Sequence, residues 1–219
     1  ADVCAEMRDQ IDQAIVKFPE AVWSGSKGAD NRIFGVEILG GWFQKYFDNP
    51  IALQVGSQYF GGRIENLQVL AGRIDAVEGN VGSGEGWHRD GNHFQYKAIL
   101  YLSDVTLENG PFQIIRDSQR FTNILSDSRR MELENPLNTR LTSEQVDMLT
   151  DESPDRLITF TAPAGTMLLV DTSTIHRGAP IQQGRRYALT NYYYPSYDIE
   201  GRKEKFLPRL TSDMIDAFF

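Results

Sequence analysis

From about Leu67 onward the chain is a series of short apolar or alternating runs separated by turn residues, and this pattern restricts the fold more than any other feature. Arg73–Glu78, Gln95–Leu102, Phe112–Ile115, Leu157–Thr161, Thr166–Asp171 and Arg186–Tyr193 each have the length and residue types of one strand. Gly79-Asn-Val-Gly-Ser-Gly-Glu-Gly86, Asn109-Gly-Pro111, Ala162-Pro-Ala-Gly165 and Gln183-Gly184 lie between them. Glycine and proline there supply the backbone angles that reversals need. Many short strands with few helices between them predict an antiparallel sandwich or barrel.

The preceding part reads differently. Val3, Met7, Ile11, Ala14, Ile15 and Phe18 recur at helical spacing, with Asp9, Gln10, Asp12 and Lys17 on the other side. A second helix is predicted over Trp42 to Phe47, stopped near Asn49-Pro50, and a third over Ile51 to Phe60, ended by Gly61-Gly62. These helices carry no chemical signature and are expected to pack on the outside of a sheet. Phe121 to Asp155 is polar, with a capping box at Thr142-Ser-Glu-Gln145, and is expected to form a lid or pocket wall. The organisation that follows is one α+β domain over residues 1–219. It has mostly helical support at 1–66, a strand-rich core at 67–194 holding the 121–155 insertion, and a C-terminal tail at 195–219.

Composition narrows the function classes. The 219 residues are 41% hydrophobic and 11% aromatic, which excludes a disordered chain. A formal charge of −8 argues against nucleic acid as a partner, since a phosphate-backbone binder needs a basic face. A single cysteine, Cys4, excludes a disulfide framework and a cysteine-based zinc site. No apolar run approaches the ~20 residues that span a bilayer, and Ala1 to Glu20 lacks an apolar signal core. A soluble, cytoplasmic protein with no membrane partner is the expectation, and nothing specifies an oligomeric state.

Any imidazole chemistry must use His88, His93 or His176, the only three histidines. In Trp87-His-Arg-Asp-Gly91, residues two apart on a strand share a face, so His88 and Asp90 can present an imidazole and a carboxylate together. A third ligand would have to come from elsewhere, from His93 or His176. Two histidines and one carboxylate on one face of a metal form the site of non-haem Fe(II) oxygenases.

Gly86-Trp-His-Arg-Asp-Gly91, Leu100-Tyr-Leu-Ser-Asp-Val105, Glu108-Asn-Gly-Pro-Phe112, Gly165-Thr-Met-Leu-Leu-Val-Asp171 and His176-Arg-Gly-Ala-Pro180 occur in this order. As an ordered set they resemble the phytanoyl-CoA dioxygenase-like family of Fe(II)- and 2-oxoglutarate-dependent oxygenases, over roughly Arg73 to Tyr194. The resemblance implies a double-stranded β-helix, a cupin-like jelly-roll barrel, with N-terminal helices outside it. It implies that His88, Asp90 and His176 bind Fe(II), leaving His93 without a metal role. It also implies 2-oxoglutarate and O₂ as co-substrates, and oxidation of a C–H bond of a small molecule with release of succinate and CO₂.

An arginine on the last barrel strand is implied to pair with 2-oxoglutarate, a task suited to a guanidinium fork. Arg185 and Arg186 are adjacent and face opposite ways. Arg186-Tyr187-Ala188 matches the family pattern and puts Ala188 and Thr190 on the pocket face. Lys97, within an apolar run, either faces the pocket and contacts 2-oxoglutarate or reaches solvent. The chain departs from its relatives at Arg116-Asp-Ser-Gln119, where they often carry Pro-Gly-Ser-His. Two alternatives remain at this stage: a cupin-like metalloenzyme that does not use 2-oxoglutarate, and a non-catalytic jelly-roll binding module.

Overall fold

The structure, a computed structural model, describes residues 2–25, 27–206, 209–210 and 212–216. In chain order the elements are α1 (Val3–Lys17), β1 (Val22–Ser24), β2 (Asp30–Phe34), α2 (Gly41–Phe47), α3 (Pro50–Phe60), β3 (Ile64–Asp75), β4 (Tyr96–Tyr101) and β5 (Phe112–Ile115). There follow α4 (Phe121–Arg130), α5 (Ser143–Glu152), β6 (Leu157–Phe160), β7 (Met167–Asp171), β8 (His176–Gly178), β9 (Arg185–Pro195), α6 (Ile199–Lys205) and α7 (Ser212–Asp216).

The helices begin and end where local chemistry dictates. Asp2 accepts a hydrogen bond from the Cys4 amide at the start of α1, and Met7, Ile11 and Ala14 are its buried stripe. Asn49 caps α3 with Pro50 at its first turn, and Gly61, at φ +74°, ends it in the left-handed conformation that glycine favours. Both halves of the Thr142–Gln145 capping box are present at the start of α5.

Two antiparallel sheets face each other. The larger has the order β1-β2-β3-β9-β4-β7 and the smaller β6-β5-β8. This is the jelly-roll arrangement, although the sheets are not closed into a barrel. The strands of the smaller sheet are only three or four residues long, and His88 adds to it through isolated bridges to Arg140 and His176.

The layers explain the burial. α1 to α3 pack on the outer face of the larger sheet, where Met7, Ile11, Phe43, Tyr46 and Ala52 meet Ile33, Val69, Ala98, Leu189 and Tyr193. Between the sheets, Ile99, Tyr101, Val105 and Phe112 form a second cluster. A third backs the smaller sheet, with Trp87, Ile115 and Ile175 packed on Met131, Leu141, Val146 and Leu149. Each leucine- or isoleucine-sized side chain so buried contributes about 1.5–3 kcal/mol. Among the described residues no helix is long and apolar enough to cross a membrane.

Three departures from the sequence pattern have physical causes. Residues 22–34, within the region expected to be mostly helical, supply β1 and β2 of the larger sheet. β2 begins Asp-Asn-Arg and carries charges at its inward positions, so it lacks the apolar alternation that marks a strand. β3 starts at Ile64 rather than Arg73 and ends at Asp75 rather than Glu78; its buried Gln68 and Gly72 interrupt the hydrophobic signal. The 121–155 insertion does not line the cavity but backs the segment that carries His88: Arg89 N donates to Thr139 O, Leu141 N to Trp87 O, and Arg140 Nη1 to Gly84 O. It holds α4 and α5, and its Met131, Leu141, Val146 and Leu149 face the back of the smaller sheet.

Candidate active site

His88, Asp90 and His176 converge. One donor atom from each lies within 4.8 Å of the others. His88 Nε2 is 3.8 Å from Asp90 Oδ1, and His176 Nε2 is 3.6 Å from Asp90 Oδ2. The backbone places them. His88 N donates to His176 O at 2.9 Å, His176 N donates to His88 O at 2.8 Å, and Asp90 N donates to Thr172 O at 3.0 Å. With these bonds in place His88 and Asp90 line the cavity, while Trp87 and Arg89 are buried behind. Arg89 Nη1 donates to Ser173 O at 2.6 Å there.

Each imidazole is oriented by its other nitrogen. His88 Nδ1 is 2.9 Å from Gly86 O and His176 Nδ1 is 2.8 Å from Thr174 O. A carbonyl only accepts, so both Nδ1 atoms carry the proton and both Nε2 lone pairs face Asp90. Burial keeps both rings neutral by lowering their proton affinity, that of His176 to about 3. For Asp90, burial alone would raise the pKa. Lys97, His176 and His88 outweigh it, so the carboxylate is held below its usual range and stays ionised.

Gly84 is fitted against this site. It has φ +82°, and a Cβ there would lie 2.3 Å from His88 Cε1, so no side chain is accommodated. The glycine-rich segment 79–86 is therefore built onto the site, with Ser83 and Gly84 lining the cavity.

The cavity lies between the sheets and has a volume of about 110 Å³. Of the residues picked out from the sequence, His88, Asp90, His176, Lys97 and Arg186 all line it, together with Ala188 and Thr190. His93 is exposed and outside it. Arg185 points the other way and pairs with Asp75 and Asp12. Lys97 faces inward, is 6% exposed, and donates from Nζ to Asp90 Oδ2 at 2.6 Å, with the Tyr192 ring 4.2 Å from Nζ. Burial disfavours its charge, but Asp90 and Tyr192 outweigh this and its pKa is raised.

Arg186 is different. It is 6% exposed, its Nε is buried without a hydrogen-bond partner, and among the described residues its side chain makes no hydrogen bond or ion pair. Burial lowers its pKa. A desolvated guanidinium with no counter-anion is costly unless a ligand supplies one.

The sequence reading missed Asp30, Arg32, Tyr101 and Tyr192, all of which line the cavity. Asp30 and Arg32 have the same two-residue spacing as His88 and Asp90, but only an assignment of β2 as a strand would have given that spacing meaning.

The sequence pattern of the Phytanoyl-CoA dioxygenase (PhyH) family matches residues 46–186, more than half of the chain and a span that includes all three converging residues and Arg186. The chain belongs to the phytanoyl-CoA dioxygenase family. No curated protein matches it. Among solved structures it is similar to EctD from S. alaskensis with bound Fe, at TM-score 0.62 and 15% identity over 89% of this chain and 69% of that one. It is similar to the epimerase SnoN in complex with Fe3+, alpha ketoglutarate and nogalamycin RO, at TM-score 0.59 and 13% identity over 88% and 74% of the two chains. HygX from Streptomyces hygroscopicus with nickel, 2-oxoglutarate and hygromycin B gives TM-score 0.53 and 14% identity over 86% and 79%. At these identities the similarities establish the shared fold.

Proposed function

We propose that this member of the phytanoyl-CoA dioxygenase family is an Fe(II)- and 2-oxoglutarate-dependent dioxygenase. It hydroxylates or otherwise oxidises a C–H bond of a small molecule and releases succinate and CO₂. The observation that carries the proposal is the pairing of a two-histidine, one-carboxylate cluster with the unpartnered Arg186 in one cavity. The donor set is the one that suits non-haem iron, and the orphaned guanidinium calls for a carboxylate. A metalloenzyme that does not use 2-oxoglutarate, or a passive binding module, has no use for a buried cation without a partner. The fold shared with SnoN and HygX, whose structures hold alpha ketoglutarate or 2-oxoglutarate, adds support.

In this reading His88, Asp90 and His176 hold the iron. When bound, Fe(II) with 2-oxoglutarate and O₂ supplies the oxidising power that the side chains lack. The protein residues prepare the site. The Gly86 and Thr174 carbonyls fix the ring tautomers, and Lys97 keeps Asp90 ionised and oriented. Arg186 meets the far carboxylate of 2-oxoglutarate, and Lys97 lies on the pocket face where it can contact the same co-substrate. Leu70, Ile74, Ile99 and Phe112 keep the walls apolar and exclude water. The formal charge of −8 supports a small-molecule partner over nucleic acid, and the free Cys4 thiol fits the cytoplasm.

The test is anaerobic. Fe(II) and 2-oxoglutarate together should give a visible charge-transfer absorption, and admitting oxygen should yield succinate slowly even without substrate. His88→Ala should abolish both signals. If folded protein gives neither signal, the oxygenase reading is wrong.

A further inference from the structure

We propose that Asp30 and Arg32, on β2, form a substrate-recognition site that selects a small molecule carrying a single carboxylate. The inference rests on the oxygenase reading, because it gives Arg186 to 2-oxoglutarate.

Strand register puts the pair on the cavity face. Arg32 pairs with Gly72 on β3, Gly72 with Ala188 on β9, and Ala188 with Tyr101 on β4. Asp30 pairs with Ile74, and Ile74 with Arg186. All of these residues line the cavity that holds His88, Asp90 and His176. The row holding Arg32 contains Gly72 and Ala188, whose small size leaves room for the guanidinium beside the site. β2 also precedes residue 46, where the match to the family begins, so this wall of the cavity comes from outside the matched segment.

The guanidinium is held rigidly and only partly used. Its Nε donates to Asp30 Oδ1 and Oδ2 at 3.0 Å each, and its Nη2 to Asp30 Oδ2 and to Ser83 Oγ at 3.2 Å. The Trp23 ring covers it at 4.9 Å. Among the described residues Nη1 has no hydrogen-bond partner, and the Arg32 side chain is 19% exposed against 5% for Asp30. Asp30 thus serves as the internal anchor, leaving the Nη1 donors for a ligand. An arginine ordered before binding loses little entropy when it forms a charge-assisted bond.

The charge balance sets the class of ligand. The cavity is lined by three cations, Arg32, Lys97 and Arg186, and two carboxylates, Asp30 and Asp90, while His88 and His176 each use one proton, on Nδ1, to donate to a backbone carbonyl and keep Nε2 as a neutral donor for the metal. Fe(II) and the dianion of 2-oxoglutarate cancel, so one positive charge remains in a largely desolvated space. A monocarboxylate balances it, whereas a phosphate group, at about −1.5 to −2, overshoots. A neutral amide leaves it unbalanced.

The experiment uses anaerobic protein with Fe(II) and saturating 2-oxoglutarate, probed with butyrate, hexanoate, their primary amides and propylphosphonate. Binding is read as a shift of the visible band and by calorimetry. Wild type should bind the acids roughly tenfold or more tighter than the amides, and tighter than the phosphonate. Arg32→Gln should abolish that preference, Arg32→Lys should retain part of it, and Asp30→Asn should tighten the acids, while all three keep the 2-oxoglutarate band. A merely structural ion pair would instead make Asp30→Asn and Arg32→Gln lose binding together, and that result overturns the inference. So does equal binding of acids and amides, tighter binding of the phosphonate, or no binding of any probe. Should Arg32→Gln not fold, the opposite responses of Asp30→Asn and Arg32→Lys decide the matter. If wild type shows no 2-oxoglutarate band, the oxygenase reading has failed, an outcome distinct from a band that forms without acid selectivity.

Discussion

Replacing Arg186 with methionine should move two measurements in opposite directions. In the ligand-free protein this guanidinium is buried, its Nε lacks a partner, and among the described residues no carboxylate forms an ion pair with it. An unsatisfied buried donor costs about 1–3 kcal/mol, and replacing buried charge by apolar volume is neutral or stabilising. Arg186→Met should therefore raise the unfolding free energy by about 1–3 kcal/mol. With 2-oxoglutarate present the sign reverses. A bidentate pair between guanidinium and carboxylate comprises two hydrogen bonds to charged groups, so its loss should cost about 3–4 kcal/mol, a roughly hundred- to thousandfold weaker Kd. Urea unfolding without ligand gives the first quantity, and titration of the anaerobic visible band gives the second. A variant that is less stable than wild type yet binds 2-oxoglutarate within about threefold of it would refute the reasoning, because Arg186 would then be a packing residue.

Three further outcomes follow from the geometry. Gly84→Ala puts a Cβ 2.3 Å from His88 Cε1 at φ +82°, so the ring must move; nickel affinity by calorimetry should fall at least about tenfold while circular dichroism is unchanged. Burial depresses the proton affinity of His176 to about 3, so the unfolded chain binds more protons than the folded one between that value and about 6.5. Stability of the metal-free protein is thus fully present above about pH 6.5 and lost as pH falls toward 3, a slope that urea midpoints should show and that His176→Gln should flatten. Thr142→Ala removes the cap of α5 and should cost about 1 kcal/mol, read as a lower urea midpoint.

Much of the site was legible in the sequence because strand chemistry is periodic. The two-residue spacing of His88 and Asp90, and the adjacency of Arg185 and Arg186, assign faces once a strand is assumed. The structure places His88, Asp90 and Arg186 in the cavity and turns Arg185 to Asp75. The fold class was readable for the same reason, from turn residues between strand-length runs. β2 was not readable, since its inward side chains are Asp30 and Arg32 and a strand with charges inside carries no apolar signature. The place of the 121–155 segment was not readable from its length, since Met131, Leu141, Val146 and Leu149 needed the back of the smaller sheet to cover them.

The sequence by itself determined the antiparallel class, the helix caps and the residue types available for a metal, because each depends on neighbours within a few positions. Only the tertiary structure brought His176 to within 3.6 Å of Asp90, left Arg186 without a partner, turned Lys97 onto Asp90, and brought β2 to the cavity wall. Those outcomes depend on which strands become neighbours. His88 and His176 meet through hydrogen bonds between backbones 88 residues apart in the chain, and no local pattern encodes such a contact.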